Sequence, residues 1–219
     1  MDTTLHHAQL PAAPAAATVP AAGGRRTDVR SRPRTLTAPA VTIRELHAGD
    51  AAALAALLTT ETVVRFIYPP PTDPAGFARF IEWTRAEQAA GRQVTFAIVP
   101  HGQDTAVGII QVRQCDSDFT RAEWGFVLAE RYWGTGLFMA SARIVLQYLF
   151  ECVGVQRLEA RSVALNGRGN GVLGKLGGVR EGALRRAFCK NDKFFDEVLW
   201  TIHAADWLAS RGRPATQPH

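Results

Sequence analysis

The sequence is poor in cysteine. It holds three, Cys115, Cys152 and Cys189, an odd number at wide spacing with no Cys-x-x-Cys pair. That count argues against a disulfide framework and offers no ligand spacing for structural zinc. The expectation is buried free thiols in a reducing, cytoplasmic setting, and no metal. Long apolar runs are also missing: no stretch approaches the ~18 uninterrupted apolar residues of a membrane span. No continuous apolar segment follows a basic start, which argues against a secretory signal. Two nucleotide-binding patterns fail as well. The G-x-G-x-x-G fingerprint would need glycine where Met139 stands, and no G-x-x-x-x-G-K-[ST] loop occurs. His47, His101 and His203 lack the partner spacing of a catalytic pair.

What is present is enough for one ordinary domain. The chain has 219 residues, 47% of them hydrophobic, and a net charge of +5. Residues 1–40 hold five arginines against two aspartates, so the rest of the chain is only mildly basic. Nucleic-acid binding is therefore not demanded. Residues 1–38 are rich in Ala, Pro and Arg and poor in large apolar side chains, and read as a disordered extension. Residues 39–210 read as the folded domain and 211–219 as a flexible tail.

Periodicity then gives the elements. Val41–Leu46 alternates like a half-buried strand, and Asp50 is placed to cap a helix from Ala51 to about Leu58. Asp73-Pro74 is an N-cap followed by proline at the first helical position, opening a helix that runs to Gly91. Strands are expected at about 93–99, 106–114 and 122–128, a long helix at Leu137–Cys152, a strand at 157–163 and a short helix at 169–176. Strands at 179–189 and 194–203 follow, and Asp206 is placed to cap a last turn. Hairpins and helical crossovers mix in one sheet, so the fold class is α+β.

The most informative stretch is Arg131-Tyr132-Trp133-Gly134-Thr135-Gly136, between a strand and an apolar helix. Glycines at a strand-to-helix turn let a ligand approach the main chain, and the first turn of the helix adds partial positive charge. An anion cradle and an ordinary tight turn are both open on the loop alone.

Arg-x-x-Gly-x-Gly in this setting resembles the acetyl-CoA pyrophosphate loop of the GCN5-related N-acetyltransferases (GNAT). Asn166–Gly182 is similar to that family's N-x-x-S-x-x-V-x-x-K-L-G-F-x-x-E-G segment, and Phe195–Ile202 to its final strand. Trp133 and Asp206-Trp207 resemble the subgroup of ribosomal-protein N-terminal acetyltransferases. The likeness spans about Val41 to Trp207. It implies a mixed, mostly antiparallel sheet flanked by helices. It also implies an acyltransferase that moves an acetyl group from acetyl-CoA to a primary amine, by direct attack in a ternary complex. The acceptor would be a protein N-terminus or a small molecule, with a homodimer allowed and neither membrane nor nucleic acid as partner.

The resemblance assigns residues. Phe126, Val127 and Leu128 would pair through their backbone with the pantetheine arm. Arg131, Trp133, Gly134, Thr135, Gly136 and Leu137 would hold the pyrophosphate, and Asn166 would lie near the cofactor or simply cap its helix. Glu123 would be the general base or else an exposed strand glutamate. Tyr68 would contact the acceptor, whose rim is expected from Phe66–Pro71 and the turn near Asp192; Trp83 would add an aromatic contact or, the preferred reading, pack in the core. Gly125 is consistent with a β-bulge. Asn170 reads as a surface residue or, less favoured, as a replacement for the polar group lost at Gly169, ordering a water or the thiolate. Gly169 stands where the family has serine, Leu173 where many relatives place a tyrosine acid, and Trp200 where tyrosine is usual. The missing acid leaves a non-catalytic acyl-CoA-binding module as the alternative. Deprotonating a lysine amine at pH 7 costs roughly 4.6 kcal/mol, an α-amine only roughly 1 kcal/mol, so a modest base suffices for the latter.

Overall fold

Val41 and Ile43 are fully buried and Thr42 and Arg44 are not. Period-2 burial of this kind makes a strand with one face on a core. In the computed structural model, which describes residues 27–30 and 35–211, this strand is the second of eight. The order is β1 (Leu36–Ala38), β2 (Val41–Glu45), α1 (Ala51–Leu58), α2 (Glu61–Val64), α3 (Pro74–Ala89), β3 (Gln93–Pro100), β4 (Gly108–Gln114) and β5 (Arg121–Leu128). Then come α4 (Leu137–Gln147), prolonged by a π-helical segment Tyr148–Val153, β6 (Arg157–Val163), α5 (Gly167–Lys175), β7 (Val179–Lys190), β8 (Lys193–His203) and α6 (Ala204–Arg211). One sheet runs β1-β2-β3-β4-β5-β6-β8-β7. Among the described residues only the β5–β6 pairing is parallel. The fold is the expected α+β with a mixed, mostly antiparallel sheet.

Each face of the sheet carries its own core. Leu54 and Leu58 of α1 and Phe77 and Ile81 of α3 cover Ala97, Val99 and Ile109. On the other face, Phe138, Val145 and Leu146 of α4 and Leu173 of α5 cover Phe96, Ile98, Ile110, Trp124 and Leu158. Burying each such Leu, Ile or Phe contributes about 1.5–3 kcal/mol.

The capping signals act mostly as expected. Asp73 accepts from the Gly76 N–H at 2.6 Å with Pro74 at the first position. Gly154 ends the α4 segment at φ +87°. Asn191 and Asp192 turn the β7–β8 hairpin with positive φ. Asp50 departs from its expected role. It is fully buried and makes no side-chain cap. Its carboxylate accepts from both terminal nitrogens of Arg44 at 2.8 Å and from the N–H groups of His47 and Ala106 at 2.9 Å. Burial raises its pKa, but these donors outweigh burial and the net shift is downward.

Two further expectations need correction, and one element went unread. The ordered chain starts before residue 39: β1 pairs with β2, Thr27 N–H donates to the Cys152 carbonyl, and Val29 is buried in the core. The rest of 1–38, like 212–219, lies outside the described residues. The short helix α2 had no periodic signal in four residues. The three thiols are exposed rather than buried. Among the described residues no helix is long and apolar enough to cross a membrane, and no cluster could hold a metal ion.

The feature that makes the site is an opening in the sheet. β5 and β6 pair only at Arg121↔Arg157, Ala122↔Leu158 and Glu123↔Glu159. β5 then stays with β4 as far as Leu128, while β6 stays with β8 as far as Val163. The last five residues of β5 thus face a gap.

Candidate active site

Beyond the gap, the chain turns through Gly134 (φ +77°) and Gly136 (φ +84°), left-handed conformations that favour glycine. A Cβ at either position would meet nothing within 4 Å, so both border open space. Thr135 Oγ1 donates to the Tyr132 carbonyl at 2.8 Å and accepts from the Leu137 N–H at 3.3 Å. The N–H groups of Gly134, Thr135, Gly136, Phe138 and Met139 have no acceptor among the described residues. Free donors at the start of a helix are what an anion cradle requires, the ligand-binding one of the two readings open on the sequence.

The register of β5 sorts the backbone groups of the gap. Cys115 N–H donates to the Arg121 carbonyl, and Ala129 N–H to the Val107 carbonyl. No register shift intervenes. The odd residues from 121 to 129 therefore bond to β4, and the even ones turn their N–H and C=O toward β6. Phe126 and Leu128 present backbone groups to the gap. Val127 does not, contrary to its expected backbone role, because its amide belongs to the β4 ladder; its side chain still borders the clefts. Leu128 keeps only its N–H for a ligand, since its carbonyl accepts from Trp133 Nε1 at 2.8 Å. Gly125 forms no bulge with β4. It borders the cleft, and a Cβ there would meet nothing within 4 Å.

Two clefts meet at this gap. One, about 730 Å³, runs from Phe126–Leu128 along Trp133, Gly134, Gly136 and Phe138 to Arg168 and Lys175. The other, about 580 Å³, is lined by Tyr68, Phe80, Trp83, Glu123, Gly125, Arg161 and Phe188 among others. Phe66, Ile67, Phe126, Val127, Asn166 and Gly169 belong to both walls.

Most expected site residues come together here. Glu123 lies on the second cleft, and its Oε2 accepts from Arg113 at 2.8 Å. Tyr68 lies on the same wall, its ring edge against Phe188 at 4.9 Å; burial, then the Glu197 charge, raises its pKa. Asn166 caps α5, accepting from the Gly169 N–H at 2.9 Å, and touches both clefts. Arg131, Thr135 and Leu137 line neither cleft. Thr135 and Leu137 lie in the glycine turn itself, whereas the Arg131 guanidinium stacks on the Tyr132 ring at 4.9 Å.

Several placements around the clefts were not read from the sequence. Arg168 stacks over Trp133 at 4.4 Å, beside the cradle. Its signal was its position two residues after Asn166, at the start of the short helix. Trp83 is 39% exposed on the cleft, the less favoured of its two readings, instead of in the core. The rim Phe66–Pro71 is where it was expected, but Asp192 is not on the wall. Instead Lys190 donates through Nζ to the Val64 and Ile67 carbonyls, tying the hairpin to the rim, and burial lowers its pKa. Asn170 is half-buried and fully engaged rather than free on the surface. Its Nδ2 donates to the Val163 and Asn166 carbonyls at 3.0 and 2.8 Å, and its Oδ1 accepts from Trp200 Nε1 at 2.8 Å. Leu173 is 1% exposed and packs in the core.

Comparison with known proteins gives the family and the fold. The family described as acetyltransferase (GNAT) domain matches residues 40–179. The chain is 25% identical over 169 residues to the N-acetyltransferase p20 of Bacillus licheniformis, covering 77% of this chain and 95% of p20. Among solved structures, the ribosomal-protein-S5-alanine acetyltransferase of Vibrio fischeri superposes with a TM-score of 0.69 at 18% identity, over 79% of this chain and 98% of that one. RimJ of Mycobacterium smegmatis, solved in complex with CoA-disulfide, gives a TM-score of 0.67 at 24% identity, over 79% and 90%. The chain belongs to the GNAT acetyltransferase domain family and is an acyltransferase.

Proposed function

We propose that the protein transfers an acetyl group from acetyl-CoA to a primary amine by direct attack in a ternary complex. The observation that carries this reading is the parting of β5 from β6 immediately before the Gly134–Gly136 cradle. A strand with free edge groups suits an extended amide-bearing arm, and the cradle suits the diphosphate at its end. Phe126 N–H and C=O and Leu128 N–H take the arm. The N–H groups of Gly134, Thr135 and Gly136, with those of the first turn of α4 after Leu137, take the diphosphate. Trp133 holds the loop to β5 through its bond to Leu128, and Arg168 and Lys175 add positive charge. The donor supplies an activated thioester.

The second cleft takes the acceptor. Tyr68 and Trp83 give it aromatic walls, and Glu123 receives the amine proton, directly or through a water. An amine already close to neutral at pH 7, such as a protein α-amine or a small-molecule amine of similar pKa, suits a single carboxylate base. No thiol acts as a nucleophile, since Cys115, Cys152 and Cys189 line neither cleft.

Thermal-shift titration with acetyl-CoA, CoA and NAD tests the donor. At a hundred times Kd, a bound ligand adds about 2.7 kcal/mol of stability. The reading expects a shift with both CoA species and none with NAD; no shift with either CoA species refutes it. Thiol release with a panel of amines then tests transfer. Binding without turnover on any amine would favour the non-catalytic module.

A further inference from the structure

Five buried side-chain polar atoms lack a hydrogen-bond partner among the described residues. Three of them, on Trp124, Arg161 and Ser162, belong to residues lining the acceptor cleft. Such atoms are rare in native proteins, so three on one wall point to a ligand that completes them. Ser162 is placed most tellingly. It lies on the part of β6 that has left β5, and it is 7% exposed. Its Oγ is 3.2 Å from the point where a Cβ at Gly169 would stand, and Asn166 Nδ2 is 2.6 Å from the same point. Gly169 and Asn166 line both clefts. The hydroxyl therefore stands at their junction, which the acyl group must cross.

We infer that Ser162 is a further catalytic residue, whose hydroxyl donates a hydrogen bond to the sulfur of the acyl donor as the acyl–sulfur bond breaks. This rests on the acetyl-CoA reading above. In the step, the amine nitrogen bonds to the acyl carbon and the carbon–sulfur bond breaks with its electron pair passing to sulfur. The amine proton goes to Glu123. Ser162 keeps its own proton, because a thiol titrates near 8.5 and an alcohol far higher. It acts by facing the charge that develops on sulfur with a fixed donor, where a hydrogen bond to an ion is strongest. Gly169 leaves the space for this, since a side chain there would run into Ser162 and Asn166.

The test compares CoA with desulfo-CoA, which lacks the sulfur, on the full chain and on Ser162→Ala, by calorimetric titration above the thiol pKa. Ser162→Ala removes an atom with no partner, so the fold is retained. CoA affinity falls roughly 10- to 100-fold in the variant, while desulfo-CoA affinity changes less than about twofold. In parallel, the thiol of bound CoA, followed by thiolate absorbance, titrates about one unit higher in the variant. Equal losses for both ligands would mean a structural role and overturn the inference. So would unchanged affinity for both, the result expected of a hydroxyl that only meets water. If neither ligand binds the unaltered chain, the acetyl-CoA reading falls and takes this inference with it.

Discussion

Arg131 and Arg168 separate what the loop motif implies from what the fold builds. Arg131 lies in the motif but stacks on Tyr132 outside both clefts; Arg168 comes from α5 and stacks on Trp133 at the cradle. Reversing one charge against the two of a diphosphate changes four unit-charge interactions; at about 6 Å in a water-like dielectric each is ~0.7 kcal/mol. Screening at physiological salt reduces the sum to roughly 1.4 kcal/mol, about tenfold in Kd. Arg168→Glu should therefore weaken acetyl-CoA binding about tenfold at 0.15 M salt, more at low salt and little at 1 M. Arg131→Glu should change it less than about threefold, its stacked side chain being directed elsewhere. Both residues are exposed, so stability should stay within about 0.5 kcal/mol. The assay is calorimetric titration of each variant across a salt series, with thermal melts as the control. Equal losses in the two variants, or a salt-independent loss in Arg168→Glu, would refute the assignment.

Other consequences can be checked as directly. Glu123→Gln keeps an oxygen for Arg113 and should leave donor affinity unchanged while turnover falls about 10²- to 10⁴-fold; unchanged turnover in a thiol-release assay removes Glu123 from the base role. Asn170→Ala strips Trp200 Nε1 of its acceptor and frees two carbonyls. It should cost about 2–3 kcal/mol, or roughly 5–10 °C in Tm, whereas a surface asparagine would cost under about 0.5 kcal/mol. Asn166→Ala removes a helix cap, so a melt should show only about 1 kcal/mol, alongside weaker donor binding. Acid should destabilise the protein through Glu181, whose carboxyl is lowered from 4.5 to about 2 by the Arg157 guanidinium, with Thr201 adding a bond. A carboxyl depressed in the folded state stabilises above its unfolded pKa and loses that contribution as pH falls from about 5 to 2. Solvent exposure limits its share to about 1 kcal/mol. Melts of Glu181→Gln should show a shallower acid slope over that window, and an unchanged slope would sink the assignment.

Local signals carried much of the fold. Asp73-Pro74, Gly154 and the alternation at Val41–Glu45 act over a few residues, so they act in an isolated stretch of sequence as they do in the folded chain. The cradle was legible for the same reason, since Gly134 and Gly136 permit positive φ wherever they stand. β1 and α2 were not legible, because three or four residues carry no period and exist only through their neighbours. The roles of Asp50, Asn170 and Trp83 depend on residues distant in sequence, Ala106, Trp200 and the cleft wall.

The sequence by itself determined most of the element order and the glycine turn into a helix, because each follows from backbone stereochemistry or short-range patterning, while Glu123 was singled out only by the family resemblance. Tertiary structure alone decided which groups face the gap. The β4–β5 register turned Phe126 and Leu128 outward and Val127 inward, since a pleated strand alternates its amides and only the partner fixes the phase. It decided that Arg168 rather than Arg131 stands at the cradle. And it left the Ser162 hydroxyl buried at the meeting of two clefts, because that junction exists only where strands far apart in the chain come together and then separate.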